Sequence, residues 1–153
     1  MVKAVATVDA APDKVWKTIQ NGNVKMSGLK ERREVGTCGQ GCELIYVRLG
    51  NLLIDDRHYV VKMQTAEEAA DGGSRYTRNW AKVDRNSALE GKDAVDIRNI
   101  RGSWSAEPID GGTKTKLTYI NHLDLGGMIP ASFFAPKFVS KTYDIISKIK
   151  KNV

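Results

Sequence analysis

The sequence predicts an α+β fold, in which one curved antiparallel sheet of seven strands wraps around a long C-terminal helix. Three observations carry this. Alternating, β-rich segments recur through most of residues 31–123 and are separated by glycine turns of hairpin type. A short helical pattern follows the first strand. The tail changes its apolar period from two to between three and four. A chain of 153 residues fits a single domain, 1–153.

Residues 2–8, VKAVATV, alternate and form the first strand. Pro12 and Asp13 follow Asp9 and a small-residue step; proline is tolerated in a helix's first turn, and acidic residues favour that end. Val15, Trp16 and Ile19 share one face, so a short helix spans 12–20 and ends in the turn QNGN. Residues 24–30 read as a loop or a second short helix. Strands follow at 31–37, 41–49, 57–68, 74–83, 96–108 and 114–123, joined by turns carrying Gly-Gln-Gly, Gly-Asn and twice Asp-Gly-Gly. The segment 84–95 is longer and polar, and is expected to be a loop.

In the tail, 130–153, Phe134, Phe138, Ile145 and Ile149 make a stripe, with Ala135, Val139 and Ile146 beside it and lysines on the other side. Pro136 removes one backbone donor, so it should kink this helix near its start or mark where the long part begins. A sheet of this size curls and one face must be covered; the last helix is the long apolar element available. A curved sheet gripping one helix leaves space between them, and that space is the natural ligand site.

The net charge is +6, with basic clusters at 30–33 (KERR) and 148–151 (KIKK). These read as solvated surface charge or as a bias toward transient contact with an anionic membrane. No recognised motif supports nucleic-acid binding. The N-terminus lacks a signal-peptide core, and no apolar run reaches the roughly 18 residues of a membrane span. A soluble, cytoplasmic protein is expected. Cys38 and Cys42 flank the turn Gly-Gln-Gly, which could set them across a hairpin; two free buried thiols are the expectation without an export signal. No metal site is expected, because the two histidines lie far along the chain. No cofactor is expected; no phosphate-binding glycine loop occurs.

Three stretches resemble the START (steroidogenic acute regulatory protein-related lipid transfer) domain family, within the helix-grip group. They are 50-GNLLIDDRHYVV-61, 102-GSWSAEPIDGGTKTKLTYINHLDLGG-127 and 128-MIPASFF-134. The N-terminal AAPDKVW resembles the start of many helix-grip proteins, and the likeness spreads over most of residues 23–150. The chain departs from the family in lacking the extra N-terminal helices of longer members, and in lacking the Trp that many carry near 20–28. The resemblance implies a hydrophobic internal cavity holding one lipid, sterol or other apolar molecule, gated by the last helix and the loop near 84–95. Gly126 and Gly127 would then serve as a hinge, or simply as a tight connection.

The resemblance also singles out Glu43 and Arg57, since the matching positions of the steroidogenic member hold a carboxylate and a guanidinium that face each other. Glu43 is in phase with Ile45, Val47 and Leu49, and Arg57 with Tyr59, Val61 and Met63. A charge on an apolar face is costly unless paired, so the two pair inside the pocket or both sit at a strand end in water; the pairing is the expectation. Trp80, Trp104, Leu117, Tyr119 and Asn121 are candidates for the wall, and Phe134, Phe138 and Ile145 for the roof. Each also fits ordinary core. His58 and His122 are out of phase with these faces, and no Ser-His-Asp or Cys-His arrangement can be argued.

The function expected is binding, and possibly transfer, of an apolar small molecule (a lipid, sterol or polyketide-like compound). The alternative is a polyketide cyclase or aromatase acting in the same cavity. A partner-binding module regulated by the pocket ranks third.

Overall fold

A computed structural model of the chain describes residues 1–21, 28–50, 54–127 and 131–153, with the side chains at 131, 133 and 134 outside the description. The expectations for residues 24–27 and for Phe134 therefore lie outside the described residues.

Strand β1 (Val2–Val8) leads into helix α1 (Pro12–Gln20), which starts on Pro12 and carries Asp13 in its first turn and Lys17 in its last, as the helix dipole favours. The strands β2 (Leu29–Gly39), β3 (Cys42–Leu49), β4 (Arg57–Ala70) and β5 (Gly73–Lys82) follow as hairpins. A two-residue strand β6 (Val95–Asp96) precedes β7 (Asn99–Ile109) and β8 (Lys114–Asp124), and helix α2 (Ala131–Asn152) closes the chain. The sheet order is β1-β8-β7-β5-β4-β3-β2, antiparallel throughout, with β6 added in parallel to the start of β4. The seven expected strands are thus present, and β6 is an eighth.

Alternation sorts the side chains onto two faces. One tier of the concave face runs Ala4, Tyr119, Trp104, Arg78, Thr65 across five strands, and the next runs Val2, Asn121, Gly102, Trp80, Met63, Glu43. Two apolar clusters cover this face. The first joins Val15, Trp16 and Ile19 of α1 and Ile146 and Ile149 of α2 to Val8, Trp104, Ala106 and Leu117. The second gathers Ile45, Val47, Leu49, Tyr59, Val61, Ile97, Ile100 and Leu125, with no α2 residue among the described ones. Trp80 packs against both. The helices therefore grip the β1–β8–β7–β5 part of the sheet, α1 reaching β5 through Trp16 on Tyr76.

Three expectations change. Val139 is 59% exposed, because the buried stripe of α2 runs through Thr142, Ile146 and Ile149 and turns Val139 outward with Tyr143. Cys38 and Cys42 form a disulfide, not two free thiols. The Gly39–Gly41 turn, with both glycines at positive φ, brings their Cα atoms to 5.0 Å, inside the range a disulfide spans. The 84–95 loop contains a 3₁₀ turn at Ser87–Leu89, and its distal part lies on the convex face. There Lys92 sits over the Tyr46 ring and the Arg48 guanidinium donates to the Asp93 carbonyl. Residues 92–93 are thus fastened opposite the helix and are not placed to gate a concave-face site.

Gly126 and Gly127 have φ of +68° and +74°, a region that favours glycine, so the turn from β8 toward α2 depends on both. The Asp124 carboxylate accepts a hydrogen bond from the Gly126 amide and braces the turn. Pro136 lies within α2 and is exposed. Among the described residues, no helix is long and apolar enough to cross a membrane.

Candidate ligand-binding site

The middle of the concave face is aromatic and polar. Tyr119 lies between two tryptophans, with ring centroids 4.4 Å from Trp104 and 6.0 Å from Trp80. Trp80 reaches across Gly102, and its indole N–H donates to the Asn121 side-chain oxygen at 3.3 Å. Gly102 has no side chain, and that is what leaves the indole room to cross. Burial pushes the Tyr119 phenol up to about 12, against a smaller opposing effect of the neighbouring Asn121 side chain. At neutral pH Tyr119 is therefore a protonated group able to donate. Trp80, Tyr119 and Met63 keep part of their surface accessible, although they sit at mid-sheet, and so does Ile145 on α2.

Arg57 opens β4 beneath this tier. It faces the same side as Leu49 and Tyr59 and is 6% exposed. One terminal nitrogen donates to the Asp55 carbonyl at 2.8 Å. The guanidinium Nε, wholly shielded from solvent, has no hydrogen-bond partner among the described residues. A Cβ placed on Gly127 would lie 3.4 Å from the other terminal nitrogen, so the turn into α2 runs beside the guanidinium. Tyr59 is 2% exposed, and desolvation raises its phenol well above the ordinary value.

The expected pair of Glu43 and Arg57 does not form. Both face the concave side, but the β3–β4 ladder sets Leu49 against Arg57 and Glu43 against Met63, six residues further on. At about 3.4 Å per residue the two are about 20 Å apart along the strands. Glu43 is exposed, and the cation it influences is Arg78. Arg78 lies over the Trp16 ring at 5.4 Å and its Nε donates to the Thr65 hydroxyl at 3.1 Å. Burial pulls the Arg78 pKa down, and the Glu43 charge opposes this. Arg78 and Met63 were missed from sequence, although both continue alternations already in view: Tyr76–Arg78–Trp80 and Tyr59–Val61–Met63.

Leu117 is fully buried in the first cluster and Ile145 packs against it; Phe138 is half-buried. His58 points to the convex face, as its phase implies, and shares a 3.3 Å hydrogen bond with the Tyr46 hydroxyl through Nδ1. His122, on β8, alternates out of the face of Tyr119 and Asn121 and pairs with Arg101. Among the described residues, no group of His, Cys, Asp and Glu could hold a metal ion.

Described residues also form two surface grooves. One, of about 510 Å³, runs between edge strand β1 and α2 and includes Val5, Val139 and Tyr143. The other, of about 420 Å³, is polar and lies by Arg48, Asp56 and Lys92. Neither includes Arg57, Trp80 or Tyr119. The concave face is nevertheless the better candidate site, because among the described residues only there does a buried guanidinium keep an unmet Nε at one end of a face whose other end, about 20 Å along the strands, is a partly accessible aromatic wall.

No protein-family model matches the sequence, and no match is found among curated proteins. Solved structures do match. Human StAR-related lipid transfer protein 5 superposes with a TM-score of 0.78 at 19% identity, covering 99% of this chain and 74% of that one. The human StarD13 lipid transfer and protein localization domain gives 0.76 at 20% identity, covering 98% and 75%. The Zhui aromatase/cyclase of a Streptomyces species gives 0.54 at 13% identity, covering 99% and 88%. The sheet, the α2 helix and these similarities agree: the chain has a START-like α+β helix-grip fold.

Proposed function

We propose that the protein binds one apolar small molecule, a lipid or sterol, between α2 and the concave face, and that it releases it by movement of α2 about Gly126 and Gly127. The observation that carries this is the accessible surface kept by Met63, Trp80, Tyr119 and Ile145, where a close-packed core would have none. Trp104, Tyr59 and Leu117 form the surrounding wall, Phe138 belongs to the roof, and Asn121 and Arg57 are the polar groups that orient the ligand. Glu43, at the far end of its strand, belongs to the rim with Arg78. Burial of ligand surface supplies about 25 cal/mol per Å² before the costs of ordering. The lysines at 148, 150 and 151 favour transient docking to an anionic membrane during exchange.

Native mass spectrometry of the gently purified protein, followed by solvent extraction, tests the reading. A discrete co-purifying lipid, or uptake of one from a mixed lipid and sterol panel, supports it. A clean unliganded mass with no uptake sinks it.

A second reading, a polyketide cyclase or aromatase, is favoured by the likeness to the Zhui enzyme and by the protonated Tyr119 phenol on the wall. It requires turnover of a linear poly-β-ketone thioester that Tyr119→Phe abolishes while ligand affinity stays. Affinity lost without any turnover selects the carrier.

A further inference from the structure

We infer that the ligand carries a single anionic head, a carboxylate or a phosphate, and that this head sits on the Arg57 guanidinium beside the Gly127 turn. The inference rests on the binding site proposed above and names the chemistry of its occupant. It begins with a charge that has no counter-charge. Arg57 is buried, its Nε has no partner, and it makes no ion pair among the described residues. All 18 Asp and Glu of the sequence fall within the described residues, so no acidic side chain lies among the others.

The nearby carboxylates do not reach it: Asp55 is exposed and gives Arg57 only its carbonyl, and the others are committed. Asp56 takes Lys30 at 2.9 Å and Arg48 at 2.7 Å on the convex side. Asp96 takes Lys82 at 3.4 Å. Asp124 takes Arg98 and braces the Gly126 amide. Glu43 is six ladder positions away.

A buried guanidinium with an unmet donor is costly, and a planar oxyanion offering two acceptors matches its fork. A neutral hydroxyl head would leave the charge uncompensated. The apolar chain would extend from Arg57 past Tyr59 and Met63 toward Trp80 and Tyr119, which share its face.

Three probes with one tail separate the possibilities: oleate, oleyl phosphate and oleyl alcohol, titrated into the full chain by calorimetry. Wild type should bind at least one of the two anions about tenfold or more tighter than the alcohol, the scale of a charge-assisted hydrogen bond. Whichever of oleate and oleyl phosphate binds more tightly identifies the anion. Arg57→Met should bring all three within about twofold of one another, and Arg57→Lys should restore part of the preference. Equal affinity of wild type for alcohol and anions overturns the inference while leaving the apolar site standing, and needs no variant. A preference that survives in Arg57→Met also overturns it. If none of the three binds, the site itself fails and the head-group assignment falls with it.

Discussion

Gly102→Ala probes the centre of the candidate site through the packing of its Trp80 wall. Gly102 stands between Trp80 and Asn121 in the ladder, and the Trp80 indole crosses over it. An added Cβ would lie 2.6 Å from Trp80 Cε2, and closer still to Trp80 Cζ2 and the Ile120 carbonyl oxygen. Ordinary contact begins near 3.4 Å, so the indole must move by the better part of an ångström. Overpacking of this kind costs about 1–3 kcal/mol. Displacing the indole also breaks its hydrogen bond and strands the buried Asn121 side chain, a further cost of about 1–3 kcal/mol. The expected loss is about 2–5 kcal/mol, read as a lower urea midpoint at unchanged slope. Much of it belongs to the indole, so in a Trp80→Ala background the same substitution should cost at least about 1 kcal/mol less. A loss under about 0.5 kcal/mol, or the same loss in both backgrounds, would refute the placement of Trp80 over Gly102.

Other outcomes follow from the same geometry. Glu43→Gln and Arg57→Met should be additive in stability within about 0.5 kcal/mol, since the two side chains never meet; a coupling well above that would contradict the β3–β4 register. Reducing the Cys38–Cys42 bond, which closes a very short loop, should lower stability by about 2 kcal/mol on the chain-entropy argument; an unchanged urea midpoint in dithiothreitol would argue against the bond. Burial holds the His58 imidazole below its ordinary pKa, with Asp96 opposing, so the unfolded chain binds a proton that the folded chain resists. That stability is complete above the unfolded value of about 6.5 and is lost as pH falls below it. Thermal midpoints from pH 7.5 to 5 should therefore decline in wild type and decline less in His58→Gln; parallel declines would remove His58 from the explanation.

The strand and helix order was legible because each strand alternates cleanly and nearly every hairpin turn contains glycine. The faces were legible too: Leu117, Tyr119 and Asn121 share one side, and His58 takes the other. Distance along a strand was not read as well as phase. Counting outward from the β3–β4 connection sets Leu49 against Arg57 and then Glu43 against Met63, which already excludes an ion pair; the resemblance to a relative prevailed over that count. The disulfide was missed because compartment was weighed above hairpin geometry. The 84–95 loop was recognisable by length and polarity, but no local pattern tells which face a loop will cover. That choice depends on Arg48, Asp93, Lys92 and Tyr46 meeting across the fold. Val139 was misplaced because the buried stripe of α2 includes Thr142, a polar residue whose hydroxyl is satisfied by the Phe138 carbonyl.

The most direct test of a ligand held between α2 and the concave face is photocrosslinking with a diazirine-bearing fatty acid, followed by peptide mapping. Labels on Trp80, Tyr119, Met63 or Ile145, competed away by unlabelled oleate, are the expected result. Labels confined to Val5, Val139 and Tyr143 would place the ligand in the outer groove beside β1, and would contradict the concave-face site.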